Sequence, residues 1–250
     1  MMYRIEMPIF NKPITPELTR LDDSFRGIPK AYGNTVKNGK ELIPLIGTPD
    51  FDTSNLPVFD YFHLETSDKS KKLWQWCIND IHRISGTYSP STFNFYISLK
   101  VKEILTKYVI AKPSGYVLSK LKYQRDFLDY YIFFCGRYGI LDDTIFEESS
   151  FHVSQDRMRE VLLGDYNGTI ENFADFRETQ IVARHNPGGD LFFKKIVIKK
   201  YYDFFIGFDD GLFYVSERLK KDLEANSITG IEFVEATDME FQFLEDAPRV

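Results

Sequence analysis

Residues 207–234, GFDDGLFYVSERLKKDLEANSITGIEFV, constrain the fold more tightly than any other part of the chain. Two short apolar runs, 203–208 and 212–215, flank Asp209-Asp210-Gly211, a glycine-bearing hairpin turn. Ser216 then stands where a helix must begin, because its hydroxyl can accept from the unpaired amides of the first turn. Glu217 suits the positive end of that helix, Lys220 and Lys221 come later, and Leu219 and Leu223 lie one turn apart on one face. Asn226 is the expected left-handed stop, with Ile228 folding back on the last turn. Gly230 allows a sharp bend into a strand over 231–234. Strand, turn, strand, capped helix and strand in succession define an α+β chain rather than an all-α or all-β one.

The rest of the sequence extends this pattern. Strands are expected at 2–7, 58–64, 93–97, 115–121, 127–135 (where the length also allows a short helix), 151–153, 180–184 and 191–197, with a further short apolar run at 41–46. Amphipathic helices are expected at 69–84, at 99–108 behind Ser98 with Leu99, Ile104 and Leu105 inward, and over a short span from Ser154 or Asp156 to Leu163. Residues 165–168 read as a turn, and 185–190 as a hairpin-type loop without the lysine of a phosphate loop. The sheets are expected to be mostly antiparallel. Phe95-Tyr96-Ile97-Ser98 before one helix echoes Phe213-Tyr214-Val215-Ser216 before another, a candidate internal pseudo-repeat. Residues 1–90, rich in Pro and Gly, form an expected N-terminal subregion, and 91–250 an α+β body; no Ser/Gly-rich linker separates them, so one compact unit is expected.

Composition narrows the function classes. The 23 Phe and 15 Tyr suit the aromatic core of a sheet protein. No apolar run approaches the ~18 residues of a membrane span, and the N-terminus lacks a signal-peptide core, so a cytoplasmic protein is expected. Cys77 and Cys135 are expected to be buried thiols, a disulfide between them being the alternative. Net charge is −6, unevenly spread: residues 91–140 carry eight basic and three acidic side chains, and 141–180 three basic and ten acidic. Between Lys221 and Arg249 there is no basic residue, while Glu232, Glu235, Asp238 and Glu240 fall in the gap. These four form the candidate partner-binding acidic face, set against the plainer reading of a solvated surface. The acidic balance argues against direct nucleic-acid binding.

Catalytic signals are sparse. His82 has no ligand or base at fixed spacing and reads as a core or surface histidine. Asp142, Asp143, Glu147 and Glu148 are acidic neighbours whose chemistry would depend on the fold. Ser119-Lys120-Leu121-Lys122 fits S-x-x-K, which carries the alternative reading of a small hydrolase, but this serine follows a strand rather than opening a helix. No catalytic, cofactor-binding or metal-binding residue is assigned.

The string Val215-Ser216-Glu217-Arg218-Leu219-Lys220-Lys221-x-Leu223, followed by Ile228-Thr229-Gly230-Ile231-Glu232-Phe233, resembles the C-terminal signature of a bacterial immunity-protein family of polymorphic toxin systems, of the myxobacterial type. The match covers about the last 40 residues; residues 98–105 and 122–131 are compatible with the family's body. The resemblance implies a non-catalytic cytoplasmic protein that binds a co-encoded toxin and blocks it. A basic toxin such as a nuclease would suit the acidic face. The family supplies no catalytic residues to carry over. A generic protein-interaction module is the other alternative, differing only in its partner.

Overall fold

A computed structural model describes residues 1–6, 30–37, 58–65, 78–82, 93–123, 125–156, 158–185 and 188–248. The expected run at 41–46, Cys77 and most of the expected 69–84 helix lie outside these. In chain order the first elements are β1 (Met2–Glu6), β2 (Lys30–Lys37), β3 (Val58–Glu65), β4 (Ile81–His82), β5 (Phe93–Ser98) and helix α1 (Leu99–Leu105). Next come β6 (Ser114–Tyr123), β7 (Asp126–Cys135), β8 (Ser150–Ser154), β9 (Leu162–Tyr166) and α2 (Phe173–His185). The chain continues through β10 (Asp190–Ile198), β11 (Phe204–Ile206), β12 (Phe213–Ser216), α3 (Glu217–Ala225), β13 (Glu232–Glu235) and β14 (Glu240–Phe243). The class is α+β, with mostly antiparallel sheets.

Three sheets carry the fold. The first has order β11-β12-β1-β13, the second β14-β10-β8-β9, and the third, six-stranded, β2-β3-β6-β7-β5-β4. Only the β10–β14 and β3–β6 neighbours run parallel. Strands from residues 1–90 therefore sit inside the same sheets as strands from the rest of the chain. The long β6–β7 hairpin keeps ten residues in continuous register, from Ser114↔Cys135 to Tyr123↔Asp126. β7 is exposed near the hairpin tip and buried from Ile132 onward, so its apolar run 132–135 is a two-sided core strand.

The aromatic residues fill the interior. Phe146, Phe151, Phe176, Phe193 and Phe208 form one cluster with centroid separations of 4.8–6.1 Å among its contacting pairs. Such ring pairs add to the stabilisation that burial alone provides. No helix among the described residues is long and apolar enough to cross a membrane.

Several local expectations are corrected. Ile81 and His82, placed at the end of a helix, form a strand against Ile97 and Tyr96. Leu99, expected inward, is 43% exposed; α1 instead buries Val101, Ile104 and Leu105. Ser98 is the cap, so Leu99 is the first helical residue, and the buried stripe starts two positions later. The described residues of the span 154–163 form no helix. Asp156 accepts from the amides of Glu160 and Val161 in a closed loop, and Arg159 sits at φ 61°, which a right-handed helix cannot contain. The chain then turns into β9.

Residues 180–184, expected as a strand, lie in α2. Asn172 caps this helix, its Oδ1 accepting from Asp175 N at 3.0 Å, and Phe176, Gln180 and Ala183 form the buried stripe against β10. The loop after His185 is thus a helix-to-strand connection. Asp165 and Tyr166, expected in a turn, end β9. Asn226 is the C-cap with φ −87°, and the left-handed residue is Ser227 at φ 52°. Ile228 N bonds Leu223 O and Ser227 N bonds Glu224 O, the paired bonds of a Schellman stop.

Candidate functional site

The turn after β11 places Asp209 and Asp210 inside the protein. Leu212 N donates to Asp210 Oδ1 at 2.8 Å, and Phe193 N donates to Asp209 Oδ2 at 3.0 Å, which fixes both side chains inward. Arg159, in the β8–β9 connection, meets them with a guanidinium that has no exposed surface. Its Nη2 lies 2.7 Å from Asp210 Oδ2 and 3.1 Å from Asp209 Oδ2, and its Nη1 lies 3.0 Å from Asp238 Oδ2. Tyr214 donates its hydroxyl to Asp210 Oδ2 at 2.6 Å, and the Arg159 guanidinium stands over the Phe192 ring at 5.2 Å. Arg4 on β1 reaches Asp238 Oδ1 at 2.9 Å.

Two guanidiniums thus face three carboxylates. Burial and the neighbouring Asp210 charge push Asp209 up to about 7, against the opposing pull of Arg159. Burial and Arg159 push His152 down, so this core histidine is neutral. Buried charges in this number need mutual pairing, because isolated ones would be too costly to desolvate. The arrangement ties four segments together: β1, the β8–β9 connection, the β11–β12 turn and the β13–β14 turn. Arg159, Asp209 and Asp210 are closed off from solvent, and Asp238 reaches the surface in part. The network's role is to hold the turn that carries Asp238.

That turn joins the two strands of the expected acidic face. Glu232 and Glu235 are exposed on β13, the edge of its sheet, and Glu240 is exposed at the start of β14, the edge of another. Glu245 and Asp246 follow on the surface. Asp238 departs from its three companions: its side chain is only 21% exposed and is turned in toward Arg4 and Arg159. Three of the four carboxylates are therefore exposed and the fourth is an anchor; Glu232 and Glu235, three residues apart on β13, point to opposite faces of that strand, so what they share is its edge rather than one face. Glu232 stands opposite Glu6 across the β1–β13 pair.

The other sequence candidates do not converge. Ser119 is buried in β6, whereas Lys122 is exposed; three residues apart on a strand, they point to opposite faces. The S-x-x-K pairing that a hydrolase would need is therefore not assembled. His82 is fully buried, its Nε2 accepting from Asn79 N at 3.0 Å. Asp143 accepts from Tyr202 and pairs with Lys200, and does not join Glu147 or Glu148 in a cluster. Among the described residues no group of three or more His, Cys, Asp or Glu could hold a metal ion. An apolar void of about 10 Å³, lined by Ile97, Val101, Phe204 and Leu223 among others, lies in the core. Lacking polar groups, it would stay dry.

No protein-family model matches the chain, and a search of curated proteins finds no match either.

The residues that matter most here, Arg159, Asp209 and Asp210, were read in the sequence as parts of a helix and a turn. One signal pointed inward: Asp209 and Asp210 are the only charges between Phe204 and Val215. Two carboxylates in so apolar a run need a buried cation.

Proposed function

We propose that this chain is a non-catalytic immunity protein, which binds a cognate bacterial toxin in the cytoplasm and blocks it with a preformed surface. The observation that carries the reading is the acidic edge. Glu232, Glu235 and Glu240 project from two consecutive edge strands, and the turn between them is pinned through Asp238 to the buried Arg4 and Arg159. A rigid charged surface loses little entropy on binding and steers a basic partner to it. The C-terminal signature that resembles the immunity family runs into this edge through Glu232 and Phe233. A basic toxin, a nuclease being one such, is the partner this surface fits.

Co-expression with the toxin encoded beside it tests the reading. Cells carrying both are expected to survive, and the purified pair to form a complex. The triple reversal Glu232→Lys, Glu235→Lys, Glu240→Lys should slow association by about tenfold or more at low salt. Failure of the unaltered chain to protect cells sinks the immunity reading; protection that survives the triple reversal sinks the choice of surface.

A further inference from the structure

The echo between 95–98 and 213–216 extends far beyond four residues. Ser98 and Ser216 cap their helices with nearly the same backbone, φ/ψ −68°/162° and −69°/156°. The Ser98 hydroxyl donates to Asp80 Oδ1 at 2.9 Å, and the Ser216 hydroxyl to Asp203 Oδ1 at 2.5 Å. Each serine amide also donates to the carbonyl of the same aspartate, at 2.8 and 2.9 Å. The residue after each aspartate pairs antiparallel with the residue before each serine: Ile81 with Ile97, Phe204 with Val215.

The neighbouring strands keep the same register. Ser98 faces Tyr130 of β7, and Ser216 faces Met2 of β1. One residue on, Lys102 stands over the Tyr131 ring at 4.2 Å and Lys220 over the Tyr3 ring at 4.7 Å; each lysine is four residues past its serine. The strand after each helix completes the set, β6 against β7 with Val117 facing Ile132, and β13 against β1 with Val234 facing Arg4. One copy is β4-β5-α1-β6-β7. The other is β11-β12-α3-β13, closed by β1 from the opposite end of the chain.

The copies also exchange segments. After α1, Val109 N donates to Asp203 Oδ2 at 3.0 Å, and Val109 O accepts from Phe204 N at 3.2 Å. After α3, Thr229 N donates to Asp80 Oδ2 at 3.1 Å, and Thr229 O accepts from Ile81 N at 3.1 Å. Thr229 Oγ1 adds a bond from Asp80 N at 3.0 Å. The equivalent rings of Phe95 and Phe213 meet at 4.7 Å, as a self-equivalent pair beside a two-fold axis must. The dry void described above is lined by residues of both copies.

We infer that the chain is a fused dimer of one β-β-α-β-β module, in which each copy's aspartate anchors the serine that caps its own helix and clamps the other copy's post-helix segment, so that the two copies open only together. Asp80 and Asp203 each serve both tasks, and neither can be lost by one copy alone. The Ile228-Thr229-Gly230 part of the family-like signature is then an assembly clamp. Gly230 belongs to it, since at φ 98° a Cβ there would lie 2.1 Å from Ile81 O.

Hydrogen exchange on the full chain tests this, with Asp80→Ala and Asp203→Ala read at the amides of Ile97 and Phe133 in one copy and Val215 and Ile5 in the other. Each variant is expected to lower protection at least tenfold in both copies, by similar factors, with a single thermal transition shifted down by roughly 5 °C or more. Loss of protection confined to one copy, or two separate transitions, overturns the inference. Should either variant fail to fold, Thr229→Val provides the same readout, because it removes only the hydroxyl bonds of one clamp. A several-fold loss shared by both copies supports the interlock, and a loss confined to the copy holding Asp80 refutes it.

Discussion

Arg159 and Asp210 meet at 2.7 Å with neither side chain exposed at all, although Arg159 lies in a connection and Asp210 in a turn. Together with Asp209, Asp238, Tyr214 and Arg4 they lock two sheets and fix the turn that presents the acidic edge. Arg159 adopts φ 61° to reach them, a conformation that a non-glycine residue holds only when its surroundings demand it.

Removing the cation should therefore be costly. Arg159→Met is expected to destabilise the protein by about 3–5 kcal/mol, because it leaves buried carboxylates uncompensated. Urea denaturation measures this. Combined with Asp210→Asn, the cycle should give a coupling of about 1 kcal/mol or more; additive losses would mean the pair is not coupled as the geometry requires.

Asp209 makes stability depend on pH. Its folded pKa is raised from 3.8 to about 7 by burial and by Asp210. Between those values the folded state binds a proton that the unfolded state does not, so this group's contribution is lost as pH rises through about 7 and recovered as pH falls toward 4. The wild type minus Asp209→Asn difference in thermal midpoint, followed from pH 8 to pH 5, should move in the wild type's favour as pH falls. A difference that stays flat across that window would show Asp209 ionised throughout.

The two serine caps should differ in cost despite their equivalent geometry. Ser98→Ala is expected to lose about 1 kcal/mol, the ordinary value of an N-cap. Ser216→Ala should lose more, about 2 kcal/mol, since it also takes a donor from the fully buried Asp203, whose Oδ1 is then left to Arg218 Nε alone, at 2.6 Å. Asp80 is partly exposed and can recruit water instead. Equal losses in thermal melts would contradict this ordering.

Core packing can be probed at two positions, one of them beside the void. Leu219, with no exposed surface, should cost about 2–5 kcal/mol on truncation to Ala. Val101 lines the void, so Val101→Ile should change stability by less than about 1 kcal/mol, a methylene that a fully packed site would reject. A large loss from Val101→Ile would show that the space is not usable.

What the sequence alone determined was set within one helical turn or one strand pair. Ser98 and Ser216 as caps, the stop after α3, the turn at Asp209-Asp210-Gly211 and the apolar runs of β7 and β10 depend on neighbours a few residues away, and they stand where the local chemistry puts them. The misreadings arose where a partner farther along the chain decides the conformation. Residues 180–184 look β-prone until Asn172 is seen to cap a helix eight residues earlier, and 154–163 look helical until Arg159 is drawn out of helical geometry by carboxylates about 50 residues away. The acidic edge was legible as composition, but Asp238 was assigned to its surface, and only the fold turns that side chain inward to two arginines. The clamp joining Asp80 to Thr229 spans 149 residues. No pattern of period two or 3.6 encodes such a contact. It exists because two similar modules pack about a common axis, and that packing is a property of the assembled chain.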